Sequence, residues 1–238
     1  MFFFQFPPYY IPLVLLALLS SVILHEIAHG LVAKWNGDLT AKYAGRLTAN
    51  PVKHFDVVGI SMLLLAGFGY AKPVPVNPAN FKDRDKGMYL VSSAGIITNI
   101  ILMVISAFFA VIIERFGPVG VNAGIDAVYF FFVIMALVNA TLAVFNLLPF
   151  FPLDGHRIVE TATGPMNKAT KWLRDYGPPV LFITAIVSIL FMGLAMVWPI
   201  MRFFSPFGLL MNYVGGGLRQ SVFNLFRLMF GVEVQWVF

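Results

Sequence analysis

The sequence predicts an all-α polytopic membrane protein. We expect a bundle of about four to six transmembrane helices, with a re-entrant or surface segment and short β-strands near the candidate site. Three observations carry this. Only 11% of the 238 residues are charged and 59% are hydrophobic, whereas a soluble domain carries about 25% charged residues. Uncharged apolar runs recur at 11–24, 88–113, 127–153 and 177–201. Twelve of the sixteen basic residues are gathered in three stretches between those runs. The composition excludes an ordinary cytosolic domain, and also a disordered chain, which needs low hydrophobicity and high charge. With no cysteine, disulfides, thiolate metal sites and cysteine nucleophiles are excluded as well.

The run at 11–24 leads into His25, Glu26 and His29 and can continue as helix to Trp35. At 1.5 Å per residue, 11–35 is about 37 Å long, enough to cross a bilayer. No basic stretch precedes this run and no small-residue cleavage site follows it, so it reads as a retained segment rather than a signal peptide. Residues 38–49 alternate in part, with Leu39, Ala41 and Tyr43 opposite Thr40 and Lys42, and predict strands at the membrane surface. Their edge would be suited to pairing with an extended peptide segment. The runs at 57–71 and 203–218 are too short to be read as spans by length alone. Residues 116–126 form a tight Gly/Pro connector. Pro149 and Pro152 end the helix that begins near 127. Residues 219–230, with Arg219 and Arg227 among apolar neighbours, fit an interfacial helix or a partner-binding helix, and the sequence does not choose. No internal repeat or linker divides the chain, so 1–238 reads as a single domain, with a core at about 11–160 and C-terminal helices over 177–238.

Charge placement predicts the topology. Lys34, Lys42, Arg46 and Lys53 lie in one loop, Lys72, Lys82, Arg84 and Lys86 in the next, and Arg157, Lys168, Lys171 and Arg174 in a third. The positive-inside rule puts all three loops in the cytoplasm. This requires that 57–71 does not cross, and it places the N-terminus outside.

His25-Glu26-Ile27-Ala28-His29 is an H-E-x-x-H motif. Four helical residues turn about 400°, so the two imidazoles share one face, a turn apart. They can bind one metal ion while Glu26 acts as general base on a metal-activated water. The chain has four His and four Glu, and a chance match in a sequence of this length is roughly one in a thousand. Glu26 also lies at membrane depth, where an ionisable residue marks a functional site.

A catalytic zinc takes three protein ligands. Asp154 is the candidate for the third, with His54 and His156 behind it. It closes the segment Asn146-Leu147-Leu148-Pro149-Phe150-Phe151-Pro152-Leu153-Asp154, whose prolines unwind the helix where buried backbone can line a site. A capping or turn aspartate before Gly155 is the plainer reading. Two crossings, at 88–113 and 127–148, return the chain to the side of His25. For His54 a structural hydrogen bond is expected, and for His156 a solvated position beside Arg157.

With these motifs the chain resembles the site-2 proteases, intramembrane zinc metalloproteases, as a compact member without PDZ or CBS domain. The resemblance rests on His25 to Gly30 and Asn146 to Gly155, supported by Ala94-Gly95-Ile96-Ile97-Thr98-Asn99 and Gly45 to Pro51. It departs at Ile96, where the family often has proline. It implies one Zn2+ per chain held by His25, His29 and Asp154, with Glu26 as base. It further implies hydrolysis of a peptide bond within or near a transmembrane segment of a membrane-protein substrate. Asn146 matches the family's substrate- or oxyanion-contacting asparagine, and equally could tie down the unwound helix. For Asn99, helix packing through a side-chain hydrogen bond is expected. The partners implied are a transmembrane protein or peptide and the lipid bilayer, with no nucleic acid. A bacterial or archaeal plasma membrane is the expected location, with the site opening toward the cytoplasm. A membrane metal-ion transporter or metal-binding membrane protein is the rival reading, but such a path needs ligands along its length and usually a repeat.

Overall fold

The computed structural model describes residues 7–56, 59, 71–195 and 197–233. Four helices in it are long and apolar enough to cross a membrane. Helix α1 (Ile11–Trp35) has a proline in its first turn, where the missing N–H costs nothing. It ends where the Asn36 side chain turns back to the Val32 carbonyl and Gly37 takes a φ of 109°. Helix α2 (Thr40–Tyr43) is a single turn. Helix α3 (Arg84–Phe116) starts at Asp83, whose side chain accepts the Lys86 N–H. A connector through Gly117 and Pro118 leads to α4 (Ala123–Asn146), which is capped by Asn122. Helix α5 (Asp154–Thr163) and helix α6 (Lys168–Leu194) follow.

The strands expected over 38–49 are not there, and no strand occurs among the described residues. The Asp38 carboxylate captures both the N–H and the hydroxyl of Thr40, which starts a helical turn. Ala41 is fully buried, beneath Gly30 of α1. The five-residue alternation over 39–43 has no partner strand among the described residues, and local side-chain capture decides the conformation.

Helix α3 is central and touches α1, α4, α5 and α8. Gly87, Ser92, Ala94, Gly95, Ala107 and Ala110 lie buried along it, and small residues let membrane helices approach closely. The helix runs unbroken through Ile96, from 84 to 116. The run at 203–218 is not one span. It is divided among a 3-10 helix (Pro199–Phe204), helix α7 (Pro206–Leu209), a π turn (Leu210–Gly215) and the start of α8 (Gly216–Phe230).

Helix α8 is docked on the bundle rather than lying free at an interface. Phe223 joins Met103, Ala107, Ala110 and Val111 of α3 and Ala136 and Ala140 of α4 in one apolar cluster. Arg227 explains this orientation, because it donates to both Glu114 carboxylate oxygens at 3.0 and 3.1 Å. A charged side chain with a partner inside turns its face of the helix inward.

Residues 57–71, expected not to cross, fall almost wholly outside the described residues. The chain on either side closes up. The Lys72 N–H donates to the His54 carbonyl at 2.8 Å, and the Lys82 N–H donates to the Asn36 carbonyl at 3.0 Å. The end of α1 and the start of α3 therefore lie together.

Candidate active site

Helix α1 presents His25 and His29 one turn apart, with ring centroids 4.6 Å apart. Each ring is oriented by α3. His25 Nδ1 donates to Asn99 Oδ1 at 2.8 Å and His29 Nδ1 donates to the Val91 carbonyl at 2.7 Å. An amide oxygen and a carbonyl only accept, so the proton of each imidazole sits on Nδ1 and the Nε2 lone pair is free. A hydrogen bond of this kind at the second nitrogen accompanies most metal-ligating histidines.

Gly95 makes this approach possible. A Cβ there would lie 2.4 Å from His25 Cε1 and 2.6 Å from His29 Nε2. Val91 is the helical acceptor for residue 95, and the absent side chain leaves its carbonyl open to the imidazole as well.

Asp154 arrives from the other side. The helix from 123 ends at Asn146, the chain turns through Pro149 and a cis Phe151–Pro152 peptide, and Asp154 opens α5. The following Gly155 is required by the turn. A Cβ at that position would lie 2.4 Å from the Leu147 carbonyl oxygen and 2.5 Å from that of Leu148. Asp154 Oδ2 lies 3.4 Å from His25 Nε2 and 3.2 Å from His29 Nε2, and the two Nε2 atoms are 3.1 Å apart.

These separations fit a tetrahedral zinc. Bonds of about 2.0–2.1 Å from a tetrahedral ion place neighbouring ligand atoms about 3.3 Å apart. All three residues are buried. The donor set is two imidazoles and one carboxylate. It is the one group of three such residues found among the described residues, whereas an ion path would need several.

Glu26 lies next to His25 in sequence, and its Oε2 accepts the Val74 N–H at 2.8 Å. Asn146 ends α4, and its amide donates to the Leu142 carbonyl of its own helix at 3.0 Å. His54 is fully buried, and its Nε2 donates to the Thr48 carbonyl at 2.8 Å, the structural bond expected for it. His156 is not solvated as expected. It is 1% exposed, with its ring edge against Phe151 at 5.7 Å, because the first turn of α5 faces inward to deliver Asp154. The helix-packing hydrogen bond expected of Asn99 is present, from α3 to α1, and its partner is the candidate ligand His25.

Comparison with known proteins places the chain in a family. The model of Peptidase family M50 matches residues 13–117 and 116–175. YwhC of Bacillus subtilis (strain 168), which carries a zinc-metalloprotease description, is 38% identical over 203 residues, covering 84% of this chain and 90% of its own length. The zinc metalloprotease MJ0392 of Methanocaldococcus jannaschii is 25% identical over 183 residues, covering 76% of this chain but 44% of its own length. No solved structure gives a significant match. The chain belongs to peptidase family M50. It is a multi-pass membrane protease whose surroundings are the lipid bilayer and membrane-embedded substrate.

Proposed function

We propose that the chain is an intramembrane zinc endopeptidase in which His25, His29 and Asp154 hold one Zn2+ and Glu26 is the general base. The observation that carries this reading is the convergence of His25, His29 and Asp154 from α1 and α5 at separations of 3.1–3.4 Å. When bound, zinc supplies Lewis acidity toward water and the scissile carbonyl. Glu26 takes the proton of the attacking water and returns it to the leaving amine. Burial of the ligands keeps these charges in a low-dielectric setting where they act strongly. Asn146 ties the end of α4 to Leu142 in this conformation. That bond uses one of the two amide N–H donors, and the second is the one that would meet a developing oxyanion.

The substrate is a membrane protein cleaved within or near a transmembrane segment. The basic loops at 34–53, 72–86 and 157–174 support a cytoplasmic opening of the site, in a bacterial or archaeal plasma membrane. The chain acts as one domain.

Elemental analysis of the detergent-purified chain is expected to give about one zinc per chain, and clearly less for Asp154→Ala. Unchanged zinc in that variant would move the third ligand elsewhere. Glu26→Gln is expected to keep its zinc and lose cleavage, and full activity would overturn the base assignment. For topology, a reporter fused at residue 80 is expected to read as cytoplasmic.

A further inference from the structure

Residues 72–77, Lys-Pro-Val-Pro-Val-Asn, cross over α1 as a strap pinned at both ends. At one end the Lys72 N–H donates to the His54 carbonyl, and the buried Arg46 guanidinium donates to the Lys72 carbonyl. At the other end the Asn77 N–H donates to Asp38 Oδ2 at 2.7 Å, and the Asn80 amide donates to Asp38 Oδ1 at 2.8 Å. Between these anchors Val74 is buried. Its side chain lies over Gly30, where a Cβ would come 3.2 Å from Val74 Cγ1. The glycine that closes His25-Glu26-Ile27-Ala28-His29-Gly30 therefore serves as the seat of the strap.

The chemistry of the strap is set by its prolines. Pro73 and Pro75 have no N–H, and each holds the residue before it in extended backbone. Val74 is thus the lone backbone donor of the 73–75 stretch, with its direction fixed from both sides. That donor goes to Glu26 Oε2 at 2.8 Å. A hydrogen bond to a carboxylate is about twice as strong as one between neutral groups, and it fixes the direction of one of the two Glu26 oxygens.

We propose that the backbone N–H of Val74 is a positioning group for Glu26, and that the proline-flanked strap exists to aim it. The inference rests on Glu26 being the base. One carboxylate oxygen is committed to the strap, which leaves the other to take the proton. Because the donor is a main-chain group, its identity is hidden from a reading of side-chain chemistry. It acts through Glu26 and touches neither metal nor substrate.

The test uses the zinc-loaded full chain in liposomes and a panel of fluorophore–quencher peptides, each with one apolar span carrying central glycines. Val74→Pro deletes the donor and suits the extended backbone, while Val74→Ala keeps the donor and removes most of the side chain. We expect Val74→Pro to lower kcat about 30-fold at unchanged KM and zinc content, a fraction of what a general base contributes. Val74→Ala should recover most of that loss. In a Glu26→Gln background, Val74→Pro should cost nothing further. Wild-type kcat in Val74→Pro, equal losses in the two Val74 variants, or an added loss in the Glu26→Gln background would overturn the inference. If Glu26→Gln is inactive while Val74→Pro keeps wild-type kcat, the inference alone falls. If Glu26→Gln is fully active, the base reading falls and takes the inference with it. Amide exchange in 15N-valine-labelled protein decides without turnover. Protection at Val74 should drop in Glu26→Ala, and equal protection would overturn the proposal.

Discussion

Asn99 Oδ1 lies 2.8 Å from His25 Nδ1, and this contact determines which nitrogen of His25 faces Asp154. Without an acceptor at that point the ring can rotate or adopt the other tautomer. Removal of such a partner typically weakens metal binding 10–100-fold. Asn99→Ala should therefore raise the zinc dissociation constant by about that factor, measured by competition with a chelator. Asn99→Asp, which keeps an acceptor oxygen, should lose less.

Gly95 predicts a sharper effect from a smaller change. Alanine improves the intrinsic helix propensity of α3 by about 1 kcal/mol, but its Cβ would stand 2.4 Å from His25 Cε1. Both imidazoles would have to shift. Gly95→Ala should therefore keep its helical circular dichroism while elemental analysis finds well under one zinc per chain.

The Arg227–Glu114 pair predicts the stability of the α8 dock. Arg227 is buried and bonds Glu114 through two nitrogens. Breaking a buried pair from one side costs about 3 kcal/mol, whereas exchanging both partners for apolar residues is often neutral. Arg227→Leu should lower the thermal midpoint in detergent and open α8 to proteolysis. Adding Glu114→Leu should restore most of the loss.

Asp38 predicts a pH dependence. Burial alone would raise its carboxyl, but hydrogen bonds from the Thr40 hydroxyl, the Asn77 N–H, the Asn80 amide and the Thr40 N–H hold it below its ordinary 3.8. A carboxyl with a depressed native pKa contributes stability above its unfolded value and loses it as the pH falls through the native one. Asp38→Asn should therefore melt below wild type at pH 7. The gap should narrow as the pH drops below 3.8.

Much of the site was legible because its signals are local. The spacing of His25 and His29 on one helix face follows from 3.6 residues per turn, and the break before Asp154 follows from Pro149 and Pro152. The long spans were legible for a similar reason, since a bilayer imposes a length on an uncharged run. Where a signal was short, local rules misled. The alternation over 38–49 gave way to the Asp38 carboxylate and to burial of Ala41 under Gly30. For 219–230, the partner that turns Arg227 inward lies 113 residues away in sequence.

By itself, then, the sequence determined that this is a helical membrane protein carrying a metal-ligand pair and a candidate base. Those properties reside in composition and in spacings of a few residues. Only the tertiary structure decided how the rings are held and what holds the base. Asn99, the Val91 carbonyl, the gap at Gly95 and the Val74 N–H come from segments that meet α1 only after folding. Two of them are main-chain groups and one is an absent side chain. Such features have no signature in residue type, because they arise where backbones approach closely enough for a carbonyl, an N–H or a missing Cβ to matter.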